Sequence, residues 1–198
     1  MNNNVMFNIS YGLYVLTAKE DGKHNGCIIN TLQQVTTTPN KVSITVNKTN
    51  YTHDMIMRTG EFNVSIISES AKFDMFKHFG FQSGRDINKF EDYPMAVSGN
   101  GLAYLTDCSN GYVSGKVISS IDLGTHTMFI ADVTDGEVVS EEHSVTYDYY
   151  QNNIKSAPAA ESKGWVCKIC GYVHEEADLP ADFVCPWCKH GASDFERK

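Results

Sequence analysis

The chain has 198 residues, of which 41% are hydrophobic and 11% aromatic, enough apolar surface for a globular core in one or two domains. A formal net charge of −8 argues against nucleic acid and against an anionic membrane surface as partners. No window reaches the roughly 18 consecutive apolar residues of a membrane span, and the early run Leu13 to Leu16, preceded by Asn rather than Lys or Arg, is too short for a signal peptide, so a soluble cytoplasmic protein is expected.

Taken in order, residues 1–150 read as mostly strands. Leu13 to Ala18 is a β-rich run closed by Asp21-Gly22, and a second strand, Cys27 to Leu32, is expected after a turn at Asn25-Gly26. Val42, Ile44 and Val46 alternate with polar residues, as do Phe62, Val64 and Ile66, which marks half-buried strands. Tyr112 to Ile121 and Thr127 to Val133 continue the pattern, with a turn expected at Asp135-Gly136 before a strand at Glu137 to Val139. Two short helices interrupt the strands. One is expected to open on Thr52 as N-cap and stop at Gly60; the other runs from Ser70 to about Phe79 and stops at Gly80. Many strands and few, short helices favour an antiparallel barrel over a parallel α/β sheet. No G-x-G-x-x-G follows a strand, so a Rossmann nucleotide site is not expected.

Residues 151–163 are small or polar without periodicity and read as a linker. The tail, 164–198, carries Cys167-Lys-Ile-Cys170 and Cys185-Pro-Trp-Cys188, separated by 14 residues. Two C-x-x-C pairs aim four thiolates at one tetrahedral ion, either zinc or iron. So small a unit needs such a staple, and a structural zinc ribbon is the alternative to a redox site. Trp165, Tyr172, Phe183, Trp187 and Phe195 are placed to jacket the sulfurs, and that favours iron. With four of six cysteines used this way, Cys27 and Cys108 remain as thiols and a reducing compartment is expected.

These motifs, with Cys170-Gly-Tyr172 and Ser193-Asp-Phe195, resemble the shortened rubredoxin found at the end of rubrerythrins. The resemblance implies one iron, cycling between Fe2+ and Fe3+, held by Cys167, Cys170, Cys185 and Cys188. In the body, three segments carry a second resemblance: Asn25 to Val35 followed by Pro39, Val46 to His53, and Gly124 to Ile130. They look like the FMN-binding split β-barrel of flavin reductases and flavoredoxins. Together with the tail, the domain order is similar to that of the flavin reductase–rubredoxin fusions known as high-molecular-weight rubredoxins. Domains at 1–150 and 164–198 joined by 151–163 follow.

By that resemblance, Asn30, Thr31 and Gln34 contact the flavin ring and ribityl chain. Asn47, Lys48, Asn50 and Thr52 hold its phosphate ahead of a helix, where free N–H groups favour an anion. Cys27 lies near the flavin. Ser83-Gly84-Arg85-Asp86 with Lys89-Phe90 resembles a loop over it, which adds Lys89. His126 falls where relatives carry Gly-Asp-His on the nicotinamide side, but Thr125 replaces the Asp, and a structural histidine is the alternative. The implied activity is electron transfer between an NAD(P)H-dependent rubredoxin reductase and a flavodiiron-type terminal reductase, in a homodimer. Direct NAD(P)H oxidation, or a flavin-binding module with a zinc knob, are the alternative readings.

Overall fold

The computed structural model describes residues 5, 8–155, 164–168, 171–186 and 190–197. The body is built on seven strands: β1 (Tyr14–Glu20), β2 (Lys23–Ile29), β3 (Gln33–Thr37), β4 (Asn40–Asn47), β5 (Glu61–Ile67), β8 (Ser109–Asp122) and β9 (His126–Val138). They form one antiparallel sheet in the order β2-β1-β5-β8-β9-β4-β3. The two edge strands, β2 and β3, are consecutive in sequence and joined by residues 30–32 alone. So short a link forces the sheet to curl until its ends meet, without a ladder between them: a split antiparallel barrel. Thr31 helps close the seam, its hydroxyl donating to the Thr45 carbonyl at 2.7 Å and accepting the Thr45 N–H at 3.2 Å.

Two helices and a β-ribbon cover the barrel. Helix α1 (Tyr51–Thr59) follows β4, and α2 (Phe73–Gly80) follows β5; the ribbon pairs β6 (Met95–Val97) with β7 (Ala103–Leu105). A short α3 (Tyr147–Tyr149) runs into one π-helical turn, Tyr150–Ile154. Inward residues of the sheet, with Met55 and Ile56 of α1, make an inner core around Leu16, Ile44, Phe62 and Phe129. A separate outer core joins Val15 and Ile67 to Met75, Phe76 and Phe79 of α2, to Ala103 and Leu105, and to Tyr150. Burial of one face explains the alternation at 42–46, where Val42, Ile44 and Val46 are buried and their neighbours are not.

Several expectations are corrected. Asn25-Gly26 is no turn: it lies inside β2, and the hairpin is made at Asp21-Gly22, both with positive φ (49° and 80°). Gly26 serves packing, since a Cβ there would meet the Phe79 ring at 3.2 Å. Asp135-Gly136 is likewise inside one continuous strand, β9. The pairing to β8 slips there, Ser114 facing Asp135 and Gly115 facing Val133, so the extra residue bulges. A Cβ at Gly136 would stand 2.9 Å from the Tyr112 carbonyl, and close strand approach explains that glycine. Helix α1 is capped by Asn50 rather than Thr52, and α2 begins at Phe73 after Lys72, three residues later than Ser70. Gln151–Ile154, expected in the linker, continue the terminal helix, with Tyr150 and Ile154 packed on the outer core. Residues 156–163 lie outside the described residues.

The tail forms a three-stranded sheet, β11 (Val173–His174), β10 (Trp165–Cys167) and β12 (Phe195–Arg197) in that order. Among the described residues no helix is long and apolar enough to cross a membrane.

Candidate functional sites: a helix-capped cavity and a thiolate cluster

A cavity of about 420 Å3, within the range of small-molecule sites, opens between β2, the end of β4, the start of α1 and the end of α2. Asn25, Gly26 and Cys27 come from β2, Asn47 and Thr49 to Thr52 from the β4–α1 junction, and Phe79 to Gly84 from the end of α2 and its following loop; Lys89 closes one side. The sequence brings these together because β2 runs beneath both helices, its Asn25 side chain donating to Thr52 Oγ1 at 2.9 Å.

The start of α1 presents donors. Asn50 is extended (φ −72°, ψ 131°) and makes no side-chain capping bond, while the Asn47 side chain is occupied by Thr49. First-turn N–H groups of the helix thus remain without a side-chain cap on the cavity side, an arrangement that suits an anion. Arg85 stacks 4.9 Å from the Tyr51 ring centroid and pairs with Asp54, and Lys23 donates to the Gly84 carbonyl at 3.0 Å, so the rim is basic.

Lys89 is the unusual member. It is 2% exposed, and its ammonium donates to the Gly26 and Phe79 carbonyls, both at 2.8 Å. Desolvation pushes its pKa down to about 8. Two described acceptors leave one ammonium hydrogen for a ligand. Cys27, beside it, is buried and its thiol is pushed up by desolvation. Asn25 Oδ1 is buried without a donor among the described residues, pressed against Gly84, where any Cβ would collide with it at 1.8 Å. The 83–86 loop therefore lies directly on the cavity floor. A buried cation, free helix N–H groups and a basic rim form a donor set suited to FMN, whose phosphate is anionic and whose ring edge carries acceptors.

Of the residues singled out from sequence, Cys27, Asn47, Asn50, Thr52 and Lys89 meet at this cavity. Five stand elsewhere. Lys48 pairs with Asp122 across the sheet at 2.6 Å, drawn toward the β8–β9 hairpin. Thr31 closes the barrel seam, and Asn30 precedes it outside the cavity lining. Gln34 donates to Asn40 and faces a second cavity of about 390 Å3 on the far side of β4. His126 bonds Thr125 at 2.9 Å and sits opposite Asn47 in the β4–β9 ladder, one strand from the cavity wall. Sequence reasoning missed Asn25, Tyr51, Phe79 and Phe81. Asn25 was hidden by its resemblance to turn chemistry, and nothing in the order of residues marks the aromatic three. A larger cavity, about 950 Å3, lies where Tyr147 and Gln151 face Lys168 and Asp194 of the tail, away from these groups.

In the tail, Cys167 at the end of β10 and Cys185 are 1% and 0% exposed and share one apolar cluster with Phe195. Trp165, Tyr172 and Phe183 pack against it, Phe183 edge-on to Phe195 at 5.3 Å. Gly171, with φ 79°, donates its N–H to the Cys167 carbonyl at 2.8 Å, and Cys185 N–H donates to the His190 carbonyl at 2.8 Å. Two thiols, each on its own tight turn and meeting in an aromatic shell, fit a closed sulfur site. Cys170, Cys188 and Trp187 lie outside the described residues.

Comparison with known proteins agrees with both halves. The flavin reductase like domain family matches residues 6–158, and the rubrerythrin, rubredoxin-like domain matches 165–196. A high molecular weight rubredoxin from Moorella thermoacetica is 32% identical, the match covering all of both chains. A ferric-chelate reductase (NAD(P)H) from Archaeoglobus fulgidus is 32% identical over 73% of this chain and 86% of its own. The crystal structure of a flavoredoxin from Methanosarcina acetivorans superposes with a TM-score of 0.63 at 20% identity, covering 73% of this chain and 76% of that one, which shows the shared fold. The chain therefore belongs to the flavin reductase-like family of oxidoreductases and carries, behind that domain, a rubredoxin-like module.

Proposed function

We propose that the chain is a cytoplasmic electron carrier that relays electrons between FMN, bound in the cavity at the start of α1, and one iron, held by Cys167, Cys170, Cys185 and Cys188. The barrel domain, expected over 1–150, runs on through the turn Tyr150–Ile154, and the second domain is 164–198. When bound, FMN supplies two-electron exchange and the iron one-electron exchange. The chain's residues supply the rest. Lys89 and the first N–H groups of α1 hold negative charge, Tyr51 and Phe79 wall the cavity, and the aromatic shell keeps water from the thiolates. The observation that carries this reading is that both sites occur in one chain and touch through the end of α2.

Electrons enter at the iron from an NAD(P)H-dependent rubredoxin reductase and leave to a flavodiiron-type reductase. Glu175, Glu176, Asp178 and Asp182 give the tail an acidic loop that suits a basic donor. Exposed apolar residues Val35 on β3 and Ile118 and Ile121 on β8 offer a face for a homodimer. The name of the Archaeoglobus relative favours a second reading, direct reduction by NAD(P)H. Anaerobic mixing with NADH or NADPH, with and without a rubredoxin reductase, tests both. The relay requires iron and flavin bands to bleach only when the reductase is present; bleaching by nucleotide alone at the same rate selects the second reading.

The α1 site gives a mutational test. Asn50→Asp is expected to lower FMN affinity about tenfold or more by setting a carboxylate where the phosphate binds, while helping α1 itself by a few tenths of a kcal/mol. Lys48→Ala is expected to change affinity less than threefold, because its partner is Asp122. Titration of flavin-free protein by FMN fluorescence quenching measures both. Equal, large losses would place the phosphate at Lys48.

A further inference from the structure

Phe81 sits at the junction of the two sites. It ends α2, its N–H donating to the Lys77 carbonyl at 3.0 Å, and a non-helical ψ of 3° turns the chain away from the helix. Its ring stands edge-on to Phe73 at 6.0 Å. The same side chain lines the cavity beside Phe79 and Gly80 and packs into the apolar cluster of Cys167, Cys185 and Phe195. Among the described residues it is the one barrel side chain in that cluster. A second tie lies nearby: Lys155 Nζ donates at 3.1 Å to the carbonyl of Lys168, the residue after Cys167.

We propose that Phe81 is the positioning residue for electron transfer between the two centres, holding the thiolate cluster against the cavity so that an electron crosses one aromatic ring instead of solvent. This rests on the relay reading above. In the relay direction, Fe2+ reduced by the rubredoxin reductase would pass one electron to FMN, becoming Fe3+, as one proton is taken up from water; a second electron and proton would follow once the reductase had reduced the iron again. Discharge of reduced FMN to Fe3+, with its protons returned to water, would use the same path in reverse. The tether alone would still bring the domains together at high local concentration, but in many orientations. Electron-transfer rates fall steeply with separation, so a fixed contact outperforms random encounter. An apolar ring also keeps water from the sulfurs, one of the levers on their potential.

The test uses full-length protein carrying FMN and iron, with flavin photoreduced by a flash in the presence of a sacrificial amine and iron–thiolate absorbance followed. Wild type is expected to show a rate independent of protein concentration. Among molecules that carry both FMN and iron, Phe81→Ala is expected to be at least tenfold slower and Phe81→Trp within about threefold of wild type, with iron content, FMN occupancy and both midpoint potentials measured alongside. A readout free of turnover accompanies it: the carbon-13 ring resonance of Phe81 is expected to be broadened away in the Fe3+ protein and sharp when zinc replaces iron. If wild-type iron shows no concentration-independent reduction, the relay reading itself fails. If wild type relays and Phe81→Ala relays equally fast, or if the Phe81 resonance is equally sharp with either metal, the role given to Phe81 is overturned. A slowdown that follows lost FMN or a shifted potential and is not rescued by Trp overturns it too.

Discussion

Cys167→Ser and Cys185→Ser proteins are expected to purify with less than a tenth of the wild-type iron and with an unfolded tail, while the barrel keeps its fold and its flavin. Among the described residues, the tail's core consists of the two buried thiols and Phe195 under four partly buried aromatic and aliphatic side chains of its own. So little apolar surface cannot offset the chain entropy of some thirty residues. Metal binding, on the order of 10 kcal/mol or more in structural thiolate sites, supplies the difference. The barrel has two cores of its own and loses only its contacts with the tail, such as those of Phe81 and Lys155. Metal analysis, the iron–thiolate absorbance and the indole resonance of Trp165 read the outcome. Full iron content in both variants would sink the sulfur assignment.

Lys89→Met is expected to weaken FMN binding by roughly ten- to a hundredfold, the size of a hydrogen bond from a charged donor, 1.5–3 kcal/mol. The pH dependence is the sharper signature. Burial holds the Lys89 pKa down at about 8, so its ammonium discharges from that pH upward in flavin-free protein. Wild-type FMN affinity is therefore expected to fall as pH rises past 8, and that of Lys89→Met to stay flat over the same range. The stability of the flavin-free protein carries the opposite sign. The folded pKa lies below the unfolded value of about 10.4, so the native state holds fewer protons between those limits and stability rises with pH there. The buried Cys27 thiol, whose pKa is raised, adds a slope of the other sign in both proteins. The difference between wild type and variant therefore reports Lys89. Identical pH profiles for FMN binding would remove Lys89 from the site.

The barrel was readable where one physical cause acted alone. Burial of a single face wrote Val42, Ile44 and Val46 into the order of residues, and the same holds for Phe62 and Val64. The paired C-x-x-C spacing marked the rubredoxin-like tail, because coordination fixes such spacing. Misreadings arose where one residue type answers two needs. Glycine serves tight turns and close backbone approach alike; at 22 it makes a turn, at 26 and 136 it admits a ring and a carbonyl. Lys48 and Lys89 differ in the same way. Nothing local shows that Asp122, 74 residues on, claims the first, or that the second is buried and bonded to the carbonyls of Gly26 and Phe79. The cavity set was legible at Asn47, Asn50 and Thr52 because a helix start is a local event. Phe81 was not, since its significance depends on a tail that begins more than eighty residues later.

The division of the body into two cores has a consequence for how it opens. Cys27 belongs to the inner core and Phe79 to the outer, and the cavity lies on the seam between them. Segments that open cooperatively tend to follow such boundaries. The outer unit, made of α2, the β6–β7 ribbon and the terminal helix, can breathe while the strands of the inner unit keep their amide protection. Tyr150 and Ile154, the last outer-core residues before the tail, belong to this same unit. Opening of that unit then loosens the cavity wall and the seat of the metal module together, at a free energy below that of global unfolding. Amides of α2 and residues 147–154 should exchange together, ahead of those in β1, β4 and β5.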